Sequence, residues 1–310
     1  MKDKQALGIT CISIAMLIIS LQDAMVKQFH AHYALHEIML VRASVALMWI
    51  LAFVLVTGAA SSLRTRNFPY LLLRGLMLVI ANSCFFLGIA AMPIAENVAL
   101  FFVAPLIITG ASSLILKERV GPRRWSAVCV GLVGVAVVVQ PTSEVLRWEA
   151  FLPITAAAAY ACMQLMARRI GRVESAATMV VYMQLTLVFF SLGFGSLFGD
   201  GAYAQFAHVS SEFLLRAWTM PDTQALLLWF AMGTLSAAGS FLMTQSYRVA
   251  NAALIATFEY IAIPFSVLWG YYLYAEVPNA TVGVGIALIL ASGIYIGHRE
   301  FVLARLARHA

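Results

Sequence analysis

The sequence predicts an all-α polytopic membrane protein in which ten transmembrane helices form two inverted-topology five-helix repeats. Three observations predict this fold class: the composition, the spacing of apolar runs and an internal duplication. Of the 310 residues, 62% are hydrophobic and only 11% are charged, whereas soluble domains average about 25% charged residues. A helix needs about 20 apolar residues to cross a bilayer, so the chain has room for about ten spans and for no sizeable soluble domain.

Apolar runs separated by polar residues, glycine and proline place the ten helices along the chain. In the first half, helices are predicted over about 6–28, 35–57, 70–92, 95–116 and 123–140. In the second half, they are predicted over about 149–168, 176–198, 223–247, 251–273 and 279–298. Lys2 and Lys4 precede the first run as in a signal peptide, but no small-residue cleavage site follows them, so a retained first helix is expected.

The distribution of basic residues predicts the orientation of the bundle. With ten spans, sixteen of the twenty Lys and Arg residues, Arg74 among them, fall on the side of the two termini. Only Lys27, Arg147 and Arg216 fall on the other side, and Arg42 lies within a span. Cytoplasmic loops are enriched in Lys and Arg, so both termini are predicted to be cytoplasmic in a bacterial-type inner membrane. The net charge of +6 is assigned to topology, and no nucleic-acid partner is predicted.

The longest predicted connection, about 199–222, faces outward and mixes apolar with charged residues. Such a composition suits a short amphipathic helix at the interface, a lid over the outer mouth or a plain loop.

The cytoplasmic tail from Arg299 is short and basic, which suits an ordinary anchor or a contact with anionic lipid headgroups. The bilayer is therefore a predicted partner, whereas no oligomeric state is predicted.

The fourth and fifth spans resemble the ninth and tenth. In each pair, a helix with a mid-span proline, Pro105 or Pro264, ends at an acidic residue that is followed closely by another proline, and a glycine-bearing helix comes next. Because five spans per copy is an odd number, the second copy must enter the membrane in the opposite sense. The predicted repeats cover 1–145 and 146–310, an architecture that indicates a carrier.

These features resemble the EamA-domain carriers of the drug/metabolite transporter superfamily. The resemblance rests on LKERVGPRRW from Leu116, on Glu-Val-Pro from Glu276, on the glycine-bearing run from Gly285 to Tyr295 and on Arg299-Glu300. It implies secondary transport of a small metabolite such as an amino acid, vitamin, nucleoside or related amphipathic compound by alternating access, without a cofactor. Family members are proton-coupled or facilitative and are often exporters, so coupled transport and uncoupled exchange both stay open.

A membrane enzyme that acts on lipid-like substrates is the alternative from another class. The sequence has no buried HExxH, GxSxG or catalytic-triad spacing and no phosphate-binding glycine loop. His30, His32 and His36 cluster at the outer end of the first hairpin and are interpreted as interfacial histidines rather than metal ligands. The sequence therefore predicts no catalytic residue and no metal site, and a carrier is favoured over an enzyme.

Charged residues inside a span are costly and are therefore candidates for function. Asp23 and Arg42 are each predicted about 8–10 Å below the outer surface. They can pair with one another, Asp23 can pair with Lys27 on its own helix, or either can contact a substrate or proton.

Glu259 is predicted about 12 Å from the cytoplasmic end, where burial disfavours the charged form of a carboxyl. It is the first candidate for proton coupling or for binding a substrate amine, with a structural hydrogen bond as the alternative.

Further polar and aromatic residues near mid-span are predicted to meet Glu259 at the repeat interface, where such carriers place their substrate. They are Asn82, Tyr160, Gln164, Gln184, Tyr260, Phe101 and Phe102, with Trp49, Phe85, Phe86, Tyr182 and Phe258 as further aromatic wall candidates. Pro105 and Pro264 are the predicted hinges. Each proline removes the backbone hydrogen bond to the carbonyl four residues earlier, at Phe101 or Tyr260, and a carbonyl freed in this way can accept from a ligand.

Overall fold

The computed structural model describes residues 2–58, 60, 63–115, 122–139, 148–202 and 208–306, and these ranges are helical without any β-strand. This confirms the predicted all-α class. The α-helices are α1 (Lys2–Phe29), α2 (Leu35–Val56), α3 (Phe68–Ala91), α4 (Ile94–Phe101), α5 (Val103–Ile115), α6 (Pro122–Val139), α7 (Phe151–Ile170), α8 (Ala176–Phe198), α9 (Val209–Leu215), α10 (Thr223–Val249), α11 (Ala252–Glu259), α12 (Ala262–Tyr274) and α13 (Ala280–Leu306).

Six of these helices are long and apolar enough to cross a membrane, namely α1, α2, α3, α7, α8 and α10. Shorter apolar helices cover Ile94–Ile108, Cys129–Val138 and Ala280–Tyr295. Large apolar side chains also point outward from the bundle, and Phe53, Phe189 and Tyr272 are 49%, 69% and 71% exposed. An exposed apolar surface of this kind is stable in lipid rather than in water. The chain is a multi-pass membrane protein.

Two predicted spans are each broken into two helices. The span predicted over 95–116 consists of α4 and α5, which are separated at Phe102. The span predicted over 251–273 consists of α11 and α12, which are separated at Tyr260 and Ile261. In both, proline is the third residue of the second helix, Pro105 in α5 and Pro264 in α12. Proline cannot donate its backbone hydrogen bond and its ring crowds the preceding turn, which explains why both breaks come just before it.

Side-chain caps fix where three helices of the second half begin. Ser175 Oγ accepts from the Thr178 amide at 3.0 Å at the start of α8. Asp222 accepts from Ala225 at 2.6 Å at the start of α10, and Asn251 accepts from Leu254 at 3.1 Å at the start of α11. Such caps satisfy amides that have no partner within the helix. They place the beginning of α11, and with it Glu259, at a defined depth.

Glycines allow α6 and α13 to pack closely along one another. A Cβ added at Gly285 would lie 2.5 Å from Val138 and 2.8 Å from the Gly134 carbonyl oxygen. Elsewhere in the bundle, α1 packs on α10 and α12, α3 packs on α7 and α8, and α2 packs on α8 and α10. The helices from the two halves are therefore interleaved around a common core.

The connection between α8 and α10, predicted to face outward, contains α9, a seven-residue helix that packs on α3. Its Phe213 is buried, and Ser210 Oγ donates to the Leu87 carbonyl at 2.9 Å. Arg216, which follows α9, donates to the His30 carbonyl at 3.0 Å. The predicted short helix in this connection is therefore present, although 203–207 lie outside the described residues.

Two residues are more buried within the protein than the sequence predicts. Arg74, counted with the cytoplasmic charges, is buried in α3 against α7 and α8. His36, interpreted as interfacial, is 1% exposed because the rings of Phe194 and Trp218 lie 5.3 and 5.6 Å from it. The segment 116–121 with Glu118, the repeat boundary at 145/146 and residues 307–310 lie outside the described residues.

Candidate solute-binding cavity

A cavity of about 140 Å³ lies inside the bundle, among helices of both halves of the chain. We call it the central cavity. An engineered protein cavity of about 150 Å³ holds one benzene molecule, so the central cavity accommodates a group the size of one aromatic ring. A larger solute requires its walls to move apart.

Nine of the ten residues predicted for the substrate site lie in the wall of the central cavity. They are Asp23, Arg42, Asn82, Phe101, Phe102, Tyr160, Gln164, Gln184 and Glu259. The tenth, Tyr260, lies outside the cavity wall: its ring packs 5.3 Å from that of Phe102 and covers Gly293 of α13. The helix break explains this difference, because Tyr260 belongs to the turn between α11 and α12 and faces α13 rather than the cavity.

Glu259, the last residue of α11, is hydrogen-bonded to two tyrosines. Tyr160 of α7 donates to Glu259 Oε1 at 2.7 Å, and Tyr247 of α10 donates to the same oxygen at 2.5 Å. The three residues are 1%, 7% and 0% exposed for Glu259, Tyr160 and Tyr247. The structural alternative foreseen for Glu259, a hydrogen bond to a neighbouring helix, is therefore present, and the donors come from two helices.

Asp23 and Arg42 face the central cavity without forming the predicted ion pair. No ion pair among the described residues includes either of them, although their charges are close enough to interact. The Arg42 guanidinium lies 5.0 Å from the centre of the Phe86 ring, a favourable cation–π geometry. Lys27, the alternative partner of Asp23, is bound elsewhere.

Lys27 ties three helix ends together near one end of the bundle. It forms an ion pair with Glu276, which follows α12, and donates to the Met92 carbonyl at 3.3 Å. The other carboxylate oxygen of Glu276 accepts from the Ile94 amide at 3.0 Å, at the start of α4. We call this group of residues the helix-end cluster. It joins the end of α1 to the α3–α4 connection and to the end of α12.

Arg74 is a further buried cation of the bundle and was missed as a site residue. Its guanidinium donates to the carbonyls of Met163 and Met179 at 3.2 and 3.4 Å and to Thr244 Oγ1 at 3.3 Å, and it contacts the Met183 sulfur. Met163, Met183 and Thr244 line the central cavity, whereas Arg74 itself does not. Arg74 therefore holds part of the cavity wall in place through these contacts. Its depth in α3 is the one sequence signal that could have indicated this.

Tyr247 was also missed, because it lies beside Arg248 at the end of α10 and reads as part of a cytoplasmic boundary. Its contact with Glu259 depends on how α10 meets α11, which no spacing in the sequence reveals. Ser236, Ser240 and Thr244 of α10 line the cavity as well. These small hydroxyl residues give no signal in an apolar helix.

The predicted hinge prolines lie at the two helix breaks described above. One backbone prediction is corrected: the Tyr260 carbonyl is not left without a donor, because the Ile263 amide donates to it at 3.1 Å. A tighter turn thus replaces the hydrogen bond that Pro264 removes. Hinge motion at Pro105 and Pro264 stays a prediction.

Four phenylalanines and a tyrosine form the aromatic part of the cavity wall: Phe85, Phe86, Phe101, Phe102 and Tyr160. The ring centres of Phe85 and Phe101 are 4.9 Å apart, and those of Phe101 and Tyr160 are 5.2 Å apart. The other predicted wall candidates are elsewhere. Trp49 is 44% exposed, and Tyr182 donates to the Leu63 carbonyl at 3.1 Å; neither these two nor Phe258 lines the cavity.

Comparison with known protein families gives a match for the first half of the chain. Residues 6–140 match the EamA-like transporter family. This confirms the resemblance to EamA-domain carriers that the sequence motifs indicate.

Curated relatives are similar to this chain over most of its length. It is 29% identical over 272 residues to a riboflavin transporter of Vibrio cholerae, which covers 87% of this chain and 85% of the relative. It is 26% identical over 292 residues to a pseudopaline exporter of Pseudomonas aeruginosa, covering 92% and 94%. It is 22% identical over 293 residues to an S-adenosylmethionine uptake transporter of Rickettsia prowazekii, covering 94% and 93%. These likenesses support a small-molecule transporter.

A solved crystal structure of another protein has the same fold as this chain. The two superpose with a TM-score of 0.70 over 95% of this chain and 97% of the other, at 16% identity. The segment 6–140 that matches the EamA-like family contributes Asp23, Arg42 and Asn82 to the central cavity, whereas Glu259 and Tyr160 come from the part of the chain beyond it. The cavity therefore needs both halves.

Proposed function

We propose that this protein is a secondary carrier that moves a small metabolite across a bacterial inner membrane, with the central cavity as its solute site. The observation that carries the proposal is the convergence of charged, polar and aromatic side chains from both halves on one buried cavity. Polar groups are costly inside a membrane protein unless they serve a site or a structural bond. The named activities of the relatives, riboflavin transport, S-adenosylmethionine uptake and pseudopaline export, agree with a solute rich in polar groups.

The two halves, 1–145 and 146–310, act in this proposal as inverted repeats that rock around the solute. Support comes from the matching breaks before Pro105 and Pro264, and from the packing of α4 on α12 and of α11 on α5. Ten spans with both termini in the cytoplasm agree with the charge distribution. Such a carrier works in either direction, and the solute and proton gradients decide which one prevails.

Glu259 is the proposed coupling residue. Its carboxyl faces the cavity and contacts Tyr160 and Tyr247, which lie on two other helices, and Arg74 interacts electrostatically with Tyr160. A change in the charge of Glu259 would therefore alter contacts between α7, α10 and α11. This links proton binding to the arrangement of helices around the solute.

Counterflow in proteoliposomes loaded with pooled metabolites tests the carrier, and a pH gradient tests the coupling. The wild type is expected to exchange one chemical class of solute and to accumulate it when a pH gradient is imposed. Glu259→Gln keeps the shape and the hydrogen-bonding capacity of the side chain but cannot exchange a proton, so it should exchange solute and lose accumulation. Glu212→Gln, which removes an exposed carboxylate of α9 paired with Arg216, is the matched control and should behave like the wild type.

Uncoupled facilitative exchange is the outcome that would contradict the coupling role alone. In that case the wild type exchanges solute, the pH gradient has no effect, and Glu259→Gln matches the wild type. Absence of exchange by folded, reconstituted protein across broad metabolite pools would contradict the carrier itself.

A further inference from the structure

Two opposite charges of the central cavity lack a direct partner. Asp23 of α1 and Arg42 of α2 both line the cavity and are 8% and 3% exposed. Within the described part of the chain, no hydrogen bond or ion pair satisfies the Asp23 carboxylate, and Arg42 Nε has no hydrogen-bond partner. The two charges interact electrostatically with one another but make no direct contact. Burial of a charge without a hydrogen bond is costly, so a polar group that enters the cavity would be bound at this position.

Three other buried charges of the bundle are satisfied within the protein. Glu259 accepts two tyrosine hydroxyls, Arg74 donates to two backbone carbonyls, and Lys27 pairs with Glu276. Asp23 cannot take Lys27 from Glu276 without breaking the helix-end cluster. Asp23 and Arg42 are thus the pair of cavity charges that is left open to a ligand.

The aromatic wall of this part of the cavity also restricts the shape of a ligand. Phe86 lies beneath the Arg42 guanidinium and contacts Phe85, with ring centres 5.6 Å apart. Gln184 also lines the cavity, and its side-chain oxygen Oε1 has no hydrogen-bond partner among the described residues. A ligand that fits carries one positive group, one negative group and a flat apolar body of about one ring, since the volume resembles that of a cavity that holds benzene.

We propose that Asp23 and Arg42 bind the two ends of a zwitterionic solute, the ammonium at Asp23 and the carboxylate at Arg42, with its apolar body against Phe85 and Phe86. The inference rests on the proposed function and names the solute class of the same site. A zwitterion satisfies both buried charges at once and adds no net charge to the cavity. A singly charged ligand leaves one of the two residues unpaired, which is unfavourable in a low-dielectric site.

Binding of three probes with the same ring tests the assignment, measured by calorimetry on the purified full-length chain in detergent. L-phenylalanine carries both charges, 2-phenylethylamine only the amine and 3-phenylpropanoate only the carboxylate. The wild type should bind L-phenylalanine at least about tenfold more tightly than either analogue. In Asp23→Asn the preference over 3-phenylpropanoate should vanish, and in Arg42→Gln the preference over 2-phenylethylamine should vanish.

Two further variants separate recognition from folding. Arg42→Lys retains the positive charge and should keep the preference for the zwitterion within about threefold, and the surface variant Glu212→Gln should match the wild type. Equal binding of the three probes by the wild type, absence of binding of all three, or an equal loss for all three in each variant would overturn the inference.

Counterflow with pooled metabolites on the same preparation separates the two proposals. Exchange without preference for zwitterions would overturn the inference alone, whereas no exchange of any solute would overturn the proposed function as well.

Discussion

At the scale of single residues, burial decides which charges are structural and which are open to a ligand. Arg74 and Arg42 are both buried cations, with exposures of 1% and 3%. Arg74 is bound by backbone carbonyls of two helices, whereas Arg42 contacts an aromatic ring and the cavity. The two arginines should therefore respond differently to replacement, Arg74 through stability and Arg42 through solute binding.

Replacement of Arg74 by Leu should destabilise the bundle. The change removes the hydrogen bonds that the guanidinium donates to the Met163 and Met179 carbonyls, and a hydrogen bond to a charged group contributes about 1.5–3 kcal/mol. Thermal unfolding of the purified protein in detergent measures the effect as a lower melting temperature. Arg66→Leu, at an exposed arginine before α3, is the matched control. Equal melting temperatures for both variants would show that the carbonyl contacts of Arg74 contribute nothing.

Sequence reasoning found most of the charged and amide residues of the cavity because such groups are rare in apolar helices. Asp23, Arg42, Gln164 and Glu259 could be identified in this way. Tyr247 could not, since a tyrosine near a helix end is common at membrane interfaces. The absence of contact between Asp23 and Arg42 was equally hidden, because α1 and α2 are consecutive in the chain but each packs on α10.

At the scale of helices, close helix–helix packing and interruptions within two helices define the architecture. α6 and α13 pack at Gly134 and Gly285, and small residues are the usual means of close helix packing in membranes. The breaks at Phe102 and Tyr260–Ile261 were not predicted as separate helices, although both prolines were identified. A proline predicts a disturbance, but whether it produces a kink or a new helix depends on the neighbouring helices.

The packing of α6 on α13 gives a pair of matched variants on one helix. Gly285→Ala places a methyl group 2.8 Å from the Gly134 carbonyl oxygen and 3.0 Å from the Val138 amide nitrogen, so the helices must separate. Gly283→Ala meets no atom within 4 Å, and alanine favours the helix by about 0.5–1 kcal/mol over glycine. We expect a lower melting temperature for Gly285→Ala and an unchanged or higher one for Gly283→Ala. The opposite order would contradict this helix interface.

The helix-end cluster should hold α4 in place through Glu276. Glu276→Ala removes the acceptor of the Ile94 amide and the charged partner of Lys27. Hydrogen–deuterium exchange of the segment that begins α4 should accelerate, while exchange in α8, which makes no contact with the cluster in the described structure, should stay unchanged. Unaltered exchange at the start of α4 would mean that the cluster does not restrain this helix.

At the scale of the whole molecule, composition and pattern were sufficient for the fold class. The 11% of charged residues and the regular apolar runs predicted an all-helical membrane protein. Most described helices begin and end within a few residues of the predicted spans, but α13 continues to Leu306, beyond the predicted end at 298. Convergence of the candidate residues was predicted, but which of them line the cavity could not be, because that depends on how helices from both halves pack around it. The internal duplication predicted a site between the two repeats, and the interleaved packing of the helices brings the candidate residues together around the cavity.

The central claim is that solute crosses the membrane through the central cavity, and counterflow of a cavity-filling variant tests it most directly. Ser240 of α10 lines the cavity, so Ser240→Trp fills it, whereas Ser196→Trp adds the same ring at an exposed position of α8. Both variants should keep the oligomeric profile and near-native melting behaviour of the wild type. We predict saturable solute exchange by the wild type and by Ser196→Trp, and loss of exchange in Ser240→Trp. Equal exchange by all three proteins would contradict the claim.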